Sequence, residues 1–264
     1  MPDRYALQLS DAEIQRYSLM AEMARQSEAE LWAVAGITTG ARVGDVGCGP
    51  GAMFPALVAA VGETGSVRGV DGDPAAAAQA TALVEASGWP NVEVTVGRAD
   101  DTGVPTESLD VVMMRHVLAH NGPDEQAIVD HLGTLVRPGG CVYLVDTEAT
   151  LFRVVPTHPD LEDLNETYIR FHAAKGNDLE VGLRLPLLVE RAGLAVEAYR
   201  GWFNIIQPPG EIRPPSWAAR EAMIASGDAT QDDVDRWERA LVEMTSVRPR
   251  IFAPLFGCVA RRQH

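Results

Sequence analysis

Short apolar runs alternate with helical stretches along the middle of the chain. Five runs have the Val- and Leu-rich character of strands, at residues 41–46, 66–71, 92–96, 109–114 and 141–146. Between them lie three Ala- and Leu-rich helical stretches, at residues 52–61, 74–87 and 123–136. Strands that alternate with helices in this way predict a parallel sheet with right-handed crossovers.

The flanks of this region follow other patterns. Residues 10–35 have helical periodicity, with Ser10 and Glu13 spaced as a capping box. The pattern loosens after residue 147, where aromatic and polar residues mix, and we expect an irregular insertion over the sheet. Beyond it, the pattern predicts a helix, a strand, two helices and a last strand, at 182–192, 194–206, 216–245 and 250–260. The predicted units are an N-terminal helical cap, a core, the insertion, and a C-terminal part of the sheet with inserted helices, at 1–36, 37–146, 147–182 and 183–264.

The charge balance narrows the class of partner. Lys and Arg total 22 against 37 Asp and Glu, so the formal net charge of the 264 residues is −15. Such a charge repels phosphate backbones and anionic membrane surfaces, and we expect neither a nucleic acid nor a membrane as partner. The N-terminal residues contain no apolar run flanked by basic residues, which predicts a cytoplasmic protein. The cysteines at 48, 141 and 258 are widely spaced, which favours free thiols over a disulfide or a metal site.

A glycine-rich loop follows the first predicted strand. Residues 43–51 read VGDVGCGPG and lead into a helical stretch. The glycines let the backbone turn tightly and approach a ligand where a Cβ would collide. Asp71 ends the second strand, where a carboxylate can accept two hydrogen bonds from a ribose diol. The pattern predicts a cradle for a cofactor that contains a nucleoside.

Gly47, Gly49 and Ala52 also satisfy the loose dinucleotide fingerprint. An NAD site places a pyrophosphate at the helix N-terminus and usually enters its first glycine from an apolar strand. Here Asp45 stands two residues before Gly47, and a carboxylate at that point suits a ligand with a positively charged amino group. An NAD-dependent oxidoreductase is therefore the less favoured alternative.

Five motifs in a fixed order carry a family resemblance. They are DVGCGPG, GVDGDP, GRADD, SLDVV and LVRPGG, at residues 45–51, 69–74, 97–101, 108–112 and 135–140. In this order they resemble the class I S-adenosylmethionine (SAM)-dependent methyltransferases of the ubiquinone and menaquinone biosynthesis type. The resemblance implies an α/β, Rossmann-like fold: a seven-stranded, mostly parallel sheet with helices on both faces, an N-terminal helical cap and an inserted lid.

The resemblance also implies which residues bind SAM. The methionine part would be surrounded by the glycine loop and the backbone after the fourth strand, at Asp45, Gly47, Cys48, Gly49 and Arg115. The ribose and the adenine would be bound by Asp71, Gly72, Ala99 and Asp100. Arg98 stands where relatives have an acidic residue. Asp100 or Asp101 must therefore accept the hydrogen bond from the adenine amino group. Tyr17 of the N-terminal helix would contact the cofactor carboxylate or the acceptor.

His116 and His120 follow the fourth strand, where relatives bring acceptor and methyl group together. If this turn is helical, both side chains point the same way, because residues at i and i+4 share a helix face. A neutral imidazole with an ordinary pKa of about 6.5 can accept a proton, so both are candidates for a general base, with His120 preferred. Packing at the core edge explains either histidine equally well. A metal is not expected, because no third ligand is evident.

The predicted reaction is transfer of the SAM methyl group to an O, N or C atom of a small organic acceptor, with S-adenosylhomocysteine (SAH) as product. The insertion leaves the carboxyl end of the fifth strand, where ligands bind in such sheets, so it should cover the acceptor. A SAM-binding protein of the same fold without methyl transfer, regulatory or cyclase-like, is the main alternative, because fold does not fix function. A monomer and a homodimer both stay open.

Overall fold

The computed structural model describes residues 11–207 and 213–263, with side chains from residue 16 onward. Its strands are β1 (Arg42–Val46), β2 (Ser66–Asp71), β3 (Val92–Val96), β4 (Leu109–Arg115), β5 (Val136–Thr147), β6 (Arg153–Val155), β7 (Leu194–Ile206) and β8 (Arg250–Arg262). Its α-helices are α1 (Asp11–Ser27), α2 (Ala29–Ala35), α3 (Phe54–Val61), α4 (Pro74–Ser87), α5 (Glu125–Leu135), α6 (Pro159–Ala174), α7 (Leu185–Arg191), α8 (Pro215–Ala218), α9 (Arg220–Ser226) and α10 (Gln231–Val247).

The described strands form one mostly parallel sheet. Strands β3, β2, β1, β4 and β5 lie side by side in that order and are parallel. The antiparallel β8 pairs with β5 through its residues 255–261 and with β6 through its residues 250–252. Strand β7 pairs with the other edge of β8. The strand order reverses at β1, between β2 and β4. A crevice for ligands is expected at the carboxyl ends of the strands beside such a point.

Two apolar layers cover the two faces of this sheet. Along β5, Val142 and Leu144 belong to one layer and Tyr143 and Val145 to the other, because successive strand residues point to opposite faces. Helices α5, α6, α7 and α10 contribute to the first layer, and α1, α2 and α3 to the second. Each fully buried aliphatic side chain contributes about 1.5–3 kcal/mol to folding. The helices on both faces therefore hold the strand ends in fixed positions.

The predicted fold class is confirmed, and β1 to β4 begin and end within one residue of the predicted strands. Among the described residues the sheet has eight strands, one more than the seven expected, and the additional strand is the three-residue β6. The expected capping box at Ser10 and Glu13 lies outside the residues whose side chains the structure describes.

The expectation of irregular structure after residue 147 is wrong, because α6 occupies 16 residues of that segment. The helix begins after His158, whose Nδ1 accepts a hydrogen bond from the Asp160 amide at 3.2 Å. Leu164, Tyr168 and Phe171 are spaced at helical intervals and are buried. This apolar face, packed on the first layer, stabilises the helix.

The carboxyl ends of four parallel strands present polar side chains at one edge of the sheet. Asp45 lies in β1, Asp71 ends β2, Arg115 ends β4, and Asp146 lies next to the end of β5. The candidate site is built on this edge. Among the described helices, none is both long enough and apolar enough to cross a membrane.

Candidate functional site

A cavity of about 1650 Å³ opens at this edge of the sheet. It extends from the glycine loop after β1 to α6 and α8. Pockets for one small ligand typically measure ~300–1,000 Å³, so this cavity has room for a cofactor and a second small molecule. All twelve predicted site residues line it: Tyr17, Asp45, Gly47, Cys48, Gly49, Asp71, Gly72, Ala99, Asp100, Arg115, His116 and His120. Their binding and catalytic roles stay predictions.

The glycine loop has backbone conformations with positive φ, which residues other than glycine adopt only at an energetic cost. Gly47 has φ +78°, and a Cβ there would lie 2.3 Å from Cγ2 of Val117. Gly49 has φ +54°, and no atom lies within 4 Å of its Cβ position. The amides of Gly47 and Cys48 both donate to the carbonyl of Val70, at 2.7 and 3.1 Å, which ties the loop to β2. The loop thus exposes backbone to the cavity, as a ligand cradle requires.

Asp45 is a buried carboxylate with unused hydrogen-bonding capacity. Its side chain is 2% exposed, and its Oδ2 has no hydrogen-bond partner. Burial raises the pKa of this carboxyl to about 7, although the nearby Arg115 guanidinium acts in the opposite direction. A buried polar atom without a partner costs about 1–3 kcal/mol, so a positively charged donor from a ligand would relieve that cost.

Asp71 organises the loops around the cradle. Its Oδ2 accepts from the Gly49 amide at 2.7 Å, and its Oδ1 accepts from the Asp73 amide at 2.9 Å. Burial raises the pKa of Asp71, and these backbone amides oppose the shift. A carboxylate offers about four acceptor positions, so Asp71 keeps acceptor capacity for the hydroxyls of a ribose.

The predicted adenine end of the cavity contains Gly72, Ala99 and Asp100. The carboxylate of Asp100 accepts two hydrogen bonds from Arg98, at 2.9 and 2.7 Å, which lowers its pKa. Arg98, the residue that departs from the family pattern, therefore holds Asp100 as an ionised acceptor. Asp101, the other candidate acceptor, is not among the residues that line the cavity.

Arg115 forms a buried ion pair that the sequence did not reveal. Its guanidinium donates to both oxygens of Glu28, at 2.6 and 3.2 Å, and the Tyr143 hydroxyl donates to the same carboxylate at 2.7 Å. The side chains of Arg115 and Glu28 are 8% and 0% exposed. Glu28 lies between α1 and α2, so this cluster fixes the N-terminal helices to the end of β4. The side chain of Arg115 thus holds these helices in place, and Arg115 also lines the cavity.

His116 and His120 line the same cavity, but the turn that carries them is not helical. His116 has φ +57°, a left-handed conformation, and only residues 118–120 form a short 3₁₀ turn. The Nε2 of His116 is buried without a partner. The condition for a shared helix face is therefore not met. A non-glycine residue with positive φ is typical of a strained site.

Burial changes the acid–base properties of these histidines. It lowers the pKa of His120 to about 4, with help from the charge of Arg16, and it lowers the pKa of His116 well below its usual value. The ring of His172 in α6 lies 4.9 Å from that of His120, and burial lowers its pKa to about 3. All three imidazoles are neutral at pH 7. The ordinary pKa assumed for His120 is wrong, because burial disfavours the charged imidazole.

Asp146 is a site residue that the sequence analysis missed. Its Oδ2 accepts from the Ala119 amide at 3.2 Å and its Oδ1 from the Thr147 amide at 2.9 Å. Burial raises its pKa to about 7. The carboxylate fixes the turn between His116 and His120 against β5. Asp146 lies near the end of a parallel strand, as Asp45 and Asp71 do. This position was the sequence signal that could have identified it as a site residue.

The far half of the cavity lies beneath α6 and the C-terminal helices. Its apolar lining comes from Phe152, Tyr168, Leu179, Ile206, Ile251 and Leu255. Tyr17 of α1 closes one side, with the Arg16 guanidinium 4.7 Å above its ring. In the described part of the chain, no group of three His, Cys, Asp or Glu side chains could hold a metal ion.

The chain is similar to known methyltransferases. Residues 43–140 match the family described as Methyltransferase domain. The demethylmenaquinone methyltransferase of Lysinibacillus sphaericus is 26% identical over 178 residues, which cover 63% of this chain and 75% of that relative. The enzyme of the same name from Bacillus licheniformis is 31% identical over 111 residues, 42% of this chain and 47% of that relative. A SAM-dependent methyltransferase from Aquifex aeolicus has the same fold, with TM-score 0.56 and 16% identity over 97% of this chain and 100% of that chain.

The fold, the motif order and these similarities support a class I SAM-dependent methyltransferase. The chain resembles the demethylmenaquinone methyltransferases at low identity, and its match spans about half the length of several of them. The site residues fit SAM as cofactor. The unpartnered Oδ2 of Asp45 suits the amino group of SAM. The open space beside Gly49 leaves room for cofactor atoms close to the loop backbone.

Proposed function

We propose that this enzyme methylates an O, N or C atom of a small organic acceptor that is bound beneath residues 147–182. The continuity of one cavity from the glycine loop to α6 supports the proposal, because a cofactor and an acceptor can both fit in this one space. In this assignment Asp45 binds the cofactor amino group and Asp71 the ribose hydroxyls. Residues 1–36 act as a cap and residues 147–182 as a lid.

The sulfonium charge of SAM already activates the methyl group, so the protein mainly aligns the acceptor and excludes water. The neutral imidazole of His120 accepts a hydrogen bond from an acceptor hydroxyl and orients it. With a pKa of about 4, His120 is a weak base, suited to acidic hydroxyls or to taking the proton as the new bond forms. His116 is the second candidate for this role.

The next proposals concern the location of the enzyme, its partners and its oligomeric state. We propose a cytoplasmic enzyme that does not act on nucleic acid, since a net charge of −15 repels a phosphate backbone. The choice between a monomer and a homodimer is made by light scattering of the purified protein.

Transfer of labelled methyl from SAM to a panel of small phenols, amines, carboxylic acids and enolisable ketones tests the proposal. We expect labelled organic product and an equal amount of SAH with at least one class, and none with transfer RNA. Normal SAM affinity without labelled product from any class would contradict the proposal and favour a SAM-binding protein that does not transfer the methyl group.

A further inference from the structure

Strands β7 and β8 continue beyond the carboxyl end of β5. Thr147, the last residue of β5, lies opposite Leu255 of β8. From that point β7 and β8 stay paired through residues 202–206 and 251–255, which we call the strand extension. At ~3.4 Å per residue of an antiparallel strand, the extension reaches about 14 Å past Thr147. It therefore projects beyond the edge of the sheet on which the candidate site is built.

One face of the strand extension lines the cavity. Direct partners on neighbouring strands share a face, and so do alternate residues along one strand. The register fixes which residues of the extension share the face of Thr147, which itself lines the cavity. Five side chains of the extension on this face line the cavity: Asn204, Ile206, Ile251, Ala253 and Leu255. We call these five residues the strand wall.

The opposite face of the same strands points away from the cavity. Phe203, Ile205 and Phe252 alternate with the wall residues and are not among the described residues that line the cavity. Phe203 and Ile205 are 53% and 59% exposed. Ile205 and Ile206 are thus neighbours of one residue type on opposite faces, so a change at Ile205 is a control for the same change at Ile206.

The strand wall is uncharged and mostly apolar. Four of its five side chains are aliphatic, and Asn204 is the fifth. Strand β6 pairs with β8 at Ile251, so three strands support the far end of the wall. Sites built on strands hold their shape better than sites on loops. A charged group placed against aliphatic side chains loses hydration without compensation, so the wall favours an uncharged apolar ligand.

The near end of the wall lies beside the predicted place of methyl transfer. Thr147 follows Asp146, whose carboxylate accepts from the Ala119 amide at 3.2 Å in the turn that carries both candidate histidines. Leu255, the first wall residue, lies opposite Thr147. An acceptor whose reacting atom lies at this turn can therefore extend its body along the wall for about 14 Å.

We propose that the acceptor is an elongated, uncharged apolar molecule with one reactive polar group, and that its apolar body lies along the strand wall. The inference rests on the proposed function, since it specifies the substrate class of the same cavity. Ala253 has the smallest side chain of the wall and lies at its middle, so a larger residue there shortens the usable length. The wall residues determine specificity and are distant from the reacting atoms.

The test measures how affinity depends on the length of the apolar body. Calorimetry with 4-ethylphenol, 4-butylphenol and 4-hexylphenol uses the full chain with saturating SAH. Burial of apolar surface along the wall should raise affinity about fourfold per added CH₂. An affinity that does not rise from the ethyl to the hexyl compound, or no binding of any of the three, would overturn the inference.

Matched variants locate the effect on the wall. Ile206→Ala should weaken 4-hexylphenol roughly five- to thirtyfold, whereas Ile205→Ala should bind it as wild type does. Ala253→Leu should weaken 4-hexylphenol by a similar factor and leave 4-ethylphenol unchanged, with circular dichroism as the check on folding. Equal losses in Ile205→Ala and Ile206→Ala would place the ligand outside the cavity and overturn the inference.

A charged analogue tests the chemistry of the wall. In 5-(4-hydroxyphenyl)pentanoate the butyl chain ends in a carboxylate, and we expect it to bind at least about tenfold more weakly than 4-butylphenol. Tighter binding of the carboxylate would contradict the proposed substrate class. Failure of SAH itself to bind would contradict the proposed function, whereas SAH binding with phenol affinities that are independent of chain length contradicts only the substrate class.

Discussion

The charge state of Asp45 should couple cofactor binding to pH. In the free protein, burial raises the pKa of this carboxyl to about 7, so about half of the molecules carry the proton at pH 7. A cofactor ammonium beside the carboxylate stabilises the ionised form, which lowers the pKa on binding. Binding therefore releases a proton, and affinity falls as pH falls through the pKa of the free protein.

The size of the effect follows from this shift. If the bound pKa returns to an ordinary value of about 3.9, SAH affinity should fall about tenfold per pH unit between about pH 6 and pH 4.5, and should be level above about pH 8. At pH 7 about half a proton should be released per SAH bound. Asp45→Asn should bind SAH about 10- to 100-fold more weakly at pH 8, because a hydrogen bond to a charged group is lost.

Titration calorimetry in two buffers of different ionisation enthalpy measures both quantities. Asp146→Asn is the matched control, because Asp146 also has a pKa of about 7 but already accepts from two backbone amides. The control should keep the pH dependence, and Asp45→Asn should lose it. A wild-type affinity that is level from pH 5 to pH 8, without buffer-dependent heat, would refute this role for Asp45.

Three further variants test other parts of the site. Asp71→Asn should weaken SAH binding by about 1.5–3 kcal/mol in calorimetry with the fold intact by circular dichroism, and unchanged affinity would exclude the ribose contact. Glu28→Ala leaves the Arg115 charge buried without its partner, so it should lower the free energy of unfolding by about 3–5 kcal/mol in urea titration. The control Glu22→Ala removes an exposed pair and should cost less than ~1 kcal/mol. Equal losses in the two variants would contradict the structural role of the buried pair. His120→Ala should lower kcat by about 10²–10⁴ if proton transfer limits the rate, with SAM affinity unchanged. With SAM kept saturating at each pH, the wild-type kcat should then fall only as pH approaches about 4, and a kcat that falls near pH 6.5 would show that another group titrates.

The sequence predicted the sheet well because its signals are local. Apolar runs and glycine turns delimit β1 to β4, and each depends on neighbouring residues only. The helix α6 was missed although Pro159 and the spacing of Leu164, Tyr168 and Phe171 were in the sequence. Aromatic and polar residues alternate there without an Ala- or Leu-rich background, which obscured the helical period. β6 has only three residues and gives no periodic signal.

The chemistry of the site was harder to predict because it depends on contacts distant in sequence. Glu28 reaches Arg115 across 87 positions, and no local pattern marks that pair. The low pKa of His120 results from burial beneath α6, which the sequence could not quantify. The positions of Asp45 and Asp71 at strand ends were predicted because a motif fixed them.

A crystal structure with SAH bound tests the central claim most directly, that one cavity aligns a SAM methyl group with a small acceptor. We predict ribose hydroxyls within hydrogen-bond distance of Asp71, the amino group at Asp45, and the sulfur facing the apolar half beneath α6. SAH with its adenine in that apolar half, or with its sulfur facing solvent, would contradict the account.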